Sequence, residues 1–407
     1  MADSRIGVWL IGAKGGVAST AQVGLAGLKA GSVPVAGLVS ELPQFAALEL
    51  TDWKNLVVGG HEIRPANLVD EARKMWLQSR AIQPELLEQV RPELEATEKR
   101  IRPGSVLNVG PTITSLASDE VQRQNESPRQ AIDRIQSDLK AFATAEKLDH
   151  TIVVNVASTE PAVDPASLPE QWSDLNALLD RPAECPLPAS SLYAIAALDL
   201  GCSYINFTPS LGASLPALDE LARERGTRHM GYDGKTGETL LKSVLAPMFA
   251  QRNLHVMSWV GHNIFGNMDG KVLDDPVNKA AKVTSKDKLL RDILKYPPQT
   301  LVSIEYIESM GDWKTAWDHV HFQGFLGTPM IFQFLWQGCD SLLAAPLVLD
   351  LVRFTERAWR AGETGALTWL GSFFKSPLGV EDHSFVPQYQ QLEAWAERTA
   401  HGATARP

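Results

Sequence analysis

A doubly wound α/β fold is predicted for this chain of 407 residues by three observations. Residues 6–11, IGVWLI, form an unbroken apolar run followed by glycines, the pattern of a parallel strand buried on both faces. Similar runs recur at 105–109, 151–156 and 203–206, with helical stretches at 127–147 and 190–200 between them. The segment GAKGGVAST, residues 12–20, lies between the first strand and the first helix, where such a fold places an anion-binding turn.

Taken in order, the first strand leads into a helix over 21–31, whose small residues allow close packing. Residues 160–188 are rich in Pro, Asp and Ser and read as a long surface excursion after the strand ending near Val156. Alternating patterns at 254–260, 300–307 and 319–336 predict a second sheet within about 234–337. Residues 342–362 predict a strong amphipathic helix, interrupted early by Pro346, and the final HGATARP reads as frayed.

Composition is that of an ordinary globular protein with a formal net charge of −10 and no basic block or Arg-rich tail. Nothing in it suits counterion-release binding to nucleic acid or an anionic membrane, so any phosphate must be held by local lysines. Cys185, Cys202 and Cys339 are scattered without metal-ligand spacing and are too few and odd in number for a disulfide framework. The N-terminus has no basic n-region and too short an apolar stretch for a signal or a span. A soluble, cytoplasmic protein is expected.

The 12–20 segment departs from a strict GxGxxG because Lys14 stands where the second glycine belongs. Its glycines suit close approach of a pyrophosphate, and a tight βα turn without ligand is the plain alternative. Glu62, in VVGGHEI, is a candidate acceptor for an adenosine ribose hydroxyl, or a solvated surface acid.

Polar residues interrupt apolar sequence farther on. GYDGKTGET, residues 231–239, places glycines, Lys235 and threonine hydroxyls just before a helical run, which makes an anion cradle or a Gly-rich capping turn. It is not a Walker A loop, which requires glycine where His229 stands. GHNIFGNMDG offers Asn263, Asn267 and Asp269 to several hydroxyls. Lys282 and Lys286 are four apart and share one face of a helix or of a strand. Lys314 in GDWK and Lys375 in FFKSPLG lie in largely apolar surroundings, where an ammonium is costly without an anionic partner. His319 and His321 share one side of a strand but lack a further ligand motif, so no metal is expected. Trp313 and Trp317 read as packing residues, and no spacing signals a Cys or Ser nucleophile.

These blocks together resemble the myo-inositol-1-phosphate synthase family. GAKGGVAST, VVGGHEI, SLYAIA, INFTPS, GYDGKTGET, GHNIFGNMDG, Lys282 with Lys286, GDWK, CDSLLAAPL and FFKSPLG fall in the family's order and nearly its spacing. The resemblance implies an NAD-binding Rossmann domain, 1–232 continued by 342–407, with an inserted α/β catalytic and oligomerisation domain at 233–341. It also implies a homotetramer and conversion of glucose 6-phosphate to 1D-myo-inositol 3-phosphate, with a related cyclase on another sugar phosphate, or a non-catalytic nucleotide-binding homologue, as alternatives.

Residue by residue, the resemblance implies that Lys282 with Asp233 manages the C5 hydroxyl proton, while Lys314 and Lys375 polarise the C1 and C5 oxygens. Lys286 with Thr236, Gly237 and Thr239 would hold the phosphate, beside Glu238. Asp269, Asp340, Asn263 and Asn267 would fix hydroxyls and orient the lysines. NAD would be held by Gly12, Lys14, Gly15, Gly16, Val17, Ala18, Ser19, Thr20, Glu62, Ser158, Thr159, Thr208, Pro209, Asp233, Asp340 and Ser341. This chain departs from the family at the phosphate loop, at Glu62 in place of aspartate, and at Glu238 in place of glutamine.

Overall fold

The computed structural model describes residues 4–267, 270 and 289–404. Seven strands form one parallel sheet in the order β11-β6-β5-β4-β1-β2-β3. They are β1 (Ile6–Ile11), β2 (Leu56–Glu62), β3 (Ile101–Pro103), β4 (His150–Asn155), β5 (Ser203–Asn206), β6 (Arg228–Gly231) and β11 (Gly365–Ala366). Every residue of β1, β2 and β4 is buried, as expected of strands covered on both faces. Helices Pro128–Glu146 and Ala189–Asp199 build the core on one face. Helices Gly16–Ala30 and Asp340–Ala361 build it on the other.

The strand order changes direction at β1, which pairs with β2 on one side and β4 on the other. A crevice therefore opens beyond the carboxyl ends of β1 and β4, the usual place for a ligand in an open α/β sheet.

After β6 the chain leaves this sheet, runs through helix Gly237–Gln251 and builds a second sheet in the order β10-β9-β7-β8. Its strands are β7 (His255–Phe265), β8 (Gln299–Tyr306), β9 (Trp313–Gln323) and β10 (Pro329–Cys339). One face is buried through Asn263, Phe265, Ile304, Ala316, Asp318 and Val320, and Phe249 from helix Gly237–Gln251 packs on the cluster around Val256, Trp259, Val320 and Phe322. The opposite face carries exposed Leu301, Trp317, Ile331 and Leu335. Helix Asp340–Ala361 then brings the chain back against helix Gly16–Ala30, and β11 pairs with β6.

Four expectations are corrected. Residues 160–188 do not simply run over the surface: they include helix Trp172–Leu178 and bury Trp172, Leu175, Leu179 and Leu187 in the core. Residues 105–109 form no strand; the short β3 lies just before them, and Asn108 at φ 55°, followed by Gly110 at φ 81°, turns the chain out of extended conformation. The long run at 319–336 is two antiparallel strands, joined by a turn containing Phe325–Gly327. Pro346 does not interrupt its helix, which starts at Asp340 and runs unbroken to Ala361. It falls in the second turn, and the flanking Ala344, Ala345 and Val348 are buried in the core.

The loop leaving β4 is tied to helix Ala189–Asp199 by a buried carboxylate. Glu160 accepts from the Ser190 amide at 2.9 Å and from the Ser190 hydroxyl. Burial pushes its carboxyl up to about 7, against the opposing pull of these hydrogen bonds. Between its ordinary 4.5 and about 7, the folded state keeps a proton that the unfolded chain has released. Stability therefore falls as pH rises through that window, by about 3 kcal/mol in all. Glu160→Gln should raise the melting temperature more at pH 8 than at pH 5; equal shifts at the two pH values would refute this assignment.

Candidate active site

The first part of the site lies where β1 ends. Backbone bonds from Gly12 and Ala13 to the His61 carbonyl fold the 12–20 loop over the end of β2. The helix that follows, Gly16–Ala30, has Gly15 as N-cap and no side-chain cap, so its first amides and its dipole face outward. Gly16 is required here by close approach, since a Cβ on it would lie 2.7 Å from Ser341 Oγ. Thr20 Oγ1 is buried without a hydrogen-bond partner among the described residues. Uncapped amides, a glycine cradle and a spare buried hydroxyl at the β1/β4 crevice fit a dinucleotide pyrophosphate. The loops bearing Ser158 and Thr159, after β4, and Thr208 and Pro209, after β5, stand on the same rim of the sheet. The Thr208 carbonyl accepts from the Asp233 amide at 2.9 Å.

Two side chains at this end are committed to the protein. Lys14 Nζ donates to the Ala66 carbonyl and to Glu98, both at 2.6 Å. Glu62 accepts from the amides of Lys14, Ile63 and Arg64 at 2.9–3.0 Å, and from the Arg64 guanidinium at 3.3 Å. A carboxylate has about four lone-pair sites, so Glu62 acts as the clasp that shapes this loop.

The second part is a small cavity lined by Thr236, Glu238, Thr239, Asn263, Phe265, Ile304, Lys314 and Lys375. Its wall is the buried face of the second sheet, because Asn263 and Phe265 alternate inward on β7 and Lys314 does so on β9. Its floor is the N-terminus of helix Gly237–Gln251, where Thr236 is the N-cap and makes no side-chain cap bond. Gly237 has φ 56°, a left-handed conformation that favours glycine. Lys375 enters from the segment after β11, which pairs by backbone bonds with residues 231–235: Lys375 to Asp233, Lys235 to Phe373 and Leu378 to Gly231. Its ammonium lies 2.8 Å from Asp233. Lys314 Nζ stands 4.9 Å over the Phe265 ring and 3.9 Å from Asp340.

Asp312 joins the two parts. Its carboxylate accepts from the Ser341 amide at 2.7 Å, the Ser341 hydroxyl at 2.8 Å, Cys339 Sγ at 3.0 Å and Asn267 Nδ2 at 3.2 Å. It thereby caps helix Asp340–Ala361 and sets the hydroxyl that crowds Gly16. Burial, then the nearby Asp340 charge, push its carboxyl above the usual range.

The family model described as myo-inositol-1-phosphate synthase, an NAD-binding model, matches residues 6–397. The chain belongs to the myo-inositol-1-phosphate synthase family. Its cofactor is NAD. It is 31% identical to inositol-3-phosphate synthase 1 of Bacteroides thetaiotaomicron over 97% of this chain and 94% of that one. It is 29% identical to inositol-3-phosphate synthase 1 of Rattus norvegicus over 83% of this chain, and spans 62% of the rat protein's length. Among solved structures, inositol-3-phosphate synthase of Caenorhabditis elegans superposes with a TM-score of 0.86 at 24% identity, covering 98% of this chain and 86% of that one. A myo-inositol-1-phosphate synthase-related protein of Thermotoga maritima gives 0.79 at 24% identity, covering 96% and 98%. These two likenesses show that the family fold is shared.

The structure brings together Asp233, Thr236, Gly237, Glu238, Thr239, Asn263, Lys314, Asp340 and Lys375. Asn267 and Ser341 meet at Asp312, beside the 12–20 loop. Lys282, Lys286 and Asp269 lie outside the described residues. Lys235, read as part of an anion cradle, points away from the cavity and donates to Gln388; burial pulls it down to about 7. His319 and His321 stand on the opposite face of β9, and no metal-holding group of His, Cys, Asp or Glu occurs among the described residues. Trp317 stacks on His262 on that same outer face.

Sequence reading missed Asp312, Lys242 and Asp318. Asp312 was visible beside Lys314 in GDWK. Lys242 lies one helical turn after Glu238 within an apolar stretch, a signal for a buried pair. Glu238 and Lys242 are buried 2.6 Å apart, with Asp318 3.7 Å from the same ammonium. Removing the lysine would leave buried carboxylates without this counter-charge, so Lys242→Met should cost about 3–5 kcal/mol in urea unfolding. A loss below 1 kcal/mol, by the same measure, would show that the pair carries no such burden.

Proposed function

We infer that this chain is an NAD-dependent isomerase that converts D-glucose 6-phosphate to 1D-myo-inositol 3-phosphate. The observation that carries this reading is the meeting of Lys314, Lys375 and the uncapped helix start at Gly237 in one cavity. That cavity is linked through Asp312 to the loop that fits NAD. Relatives from bacteria, plants and animals bear the name inositol-3-phosphate synthase, which supports the choice of reaction.

Held at the 12–20 loop, NAD would supply reversible hydride chemistry at C5 of the open-chain sugar, with no net redox change. The residues of this chain do the rest. The amides of the helix start, with Thr236, Gly237 and Thr239, receive the phosphate, together with Lys286. Asp233, held by Lys375, handles the C5 hydroxyl proton with Lys282. Lys314 and Lys375 stabilise the oxyanions that develop at C5, in the enolate and at C1 as C6 closes on it. Phe265 and Ile304 keep one wall apolar and strengthen these charge interactions. Asn263, Asn267, Asp269 and Asp340 orient hydroxyls and lysines.

In this reading, residues 233–341 form a catalytic and assembly domain inserted into a Rossmann domain made of 1–232 and 342–407. The outward face of the second sheet is the assembly surface of a homotetramer: Leu335 is 66% exposed, Ile331 60% and Leu301 53%. No helix among the described residues is long and apolar enough to cross a membrane. The cytoplasm suits the three cysteines, which are free and buried.

Incubation with glucose 6-phosphate and catalytic NAD should yield a cyclic phosphate identified by NMR, without NADH accumulation. Absence of any cyclised product, or stoichiometric NADH, would refute the reading. Lys375→Ala should lower kcat by about 100-fold or more while NAD binding, followed by calorimetry, is retained. Leu335→Asp should shift the sedimenting species toward smaller assemblies; an unchanged sedimentation coefficient would remove this face from the interface.

A further inference from the structure

Glu238 makes a bond that determines what the cavity presents to its ligand. Its Oε1 is paired with Lys242 at 2.6 Å, and its Oε2 accepts from Asn263 Nδ2 at 2.7 Å. The second hydrogen of that amide points to the Ser303 carbonyl at 3.5 Å. An ionised carboxylate and a carbonyl only accept, so chemistry alone forces the NH2 of Asn263 toward them. Asn263 Oδ1 is thereby left over: it is buried, has no partner among the described residues, and belongs to a side chain in the cavity wall. Trp259 Nε1 donates to Asp318 at 2.7 Å, and Asp318 in turn flanks Lys242, so the ammonium is held from two sides.

With glutamine at 238 the polarity would reverse. Lys242 would take the amide oxygen, the amide NH2 would face Asn263, and Asn263 would turn its oxygen toward it. The cavity would then receive an NH2 group, which suits an acceptor such as a phosphate oxygen.

We propose that Glu238, fixed by Lys242, is a positioning residue that presents Asn263 Oδ1 as an acceptor, so that this point of the cavity selects a sugar hydroxyl. This deepens the sugar-phosphate reading above and rests on it. Lys242 acts on the cavity through Glu238, one turn away on the same helix.

The test compares glucose 6-phosphate with its 2-, 3- and 4-deoxy analogues on NAD-loaded protein, as kcat/KM and, by calorimetry, as Kd. The wild type should lose about tenfold or more with one analogue, the size of a missing hydrogen bond to a buried group. Both Glu238→Gln and Asn263→Ala should shrink that discrimination to about threefold or less, and the double variant should lose no more than either single one. Inorganic phosphate should inhibit Glu238→Gln more strongly than the wild type, a change that a merely loosened fold would not produce. Undiminished discrimination in Glu238→Gln, or fully additive losses in the double variant, would overturn the proposal. Wild-type protein that forms no product but still discriminates among the analogues by Kd would refute the cyclase reading and leave the orientation of Asn263 supported.

Discussion

The site depends on the return of the chain to the sheet it left. Residues 231–235 and the segment around 373–378 pair through backbone bonds at the end of β6, including Lys375 to Asp233 and Leu378 to Gly231. That pairing joins positions separated by 142 residues and puts the Lys375 ammonium on Asp233. Everything between them, including the second sheet, is closed into a loop whose ends are fixed at the rim of the parallel sheet. Backbone groups in this position are buried and must be paired, so the junction is set by hydrogen-bond demand as much as by apolar packing.

Burial of charge is the second constraint. Glu238, Lys242 and Asp318 are all nearly inaccessible, and each is tolerated because its neighbours supply opposite charge or hydrogen bonds. A carboxylate lining a cavity beside an uncapped helix N-terminus would ordinarily repel an anion there. Here its charge is met by Lys242 at contact distance, and its remaining oxygen is occupied by Asn263.

Asp312 performs a comparable task beside the 12–20 loop. One carboxylate gathers donors from β10, helix Asp340–Ala361 and the turn after β7, and so fixes Ser341 against the glycine that opens helix Gly16–Ala30. Its elevated proton affinity reflects burial and the neighbouring Asp340 rather than any lack of donors. The outer sheet face, with Leu335 and Ile331 exposed, shares no side chains with the cavity, because strand residues alternate between faces.

Much was legible from sequence because local rules sufficed. The apolar run at Ile6–Ile11, the glycines that follow it and the alternating strands and helices specify a parallel sheet with a ligand turn, through periodicity and backbone sterics alone. The lysines at 314 and 375 were conspicuous because an ammonium in apolar sequence demands a partner. What sequence did not contain was the partner itself. That Lys375 meets Asp233, that Lys14 and Lys235 turn away to Glu98 and Gln388, and that Asp312 and Lys242 support the site are consequences of contacts between distant segments. Such contacts are decided by which rotamers and burials the whole fold can satisfy together, and no local spacing encodes them.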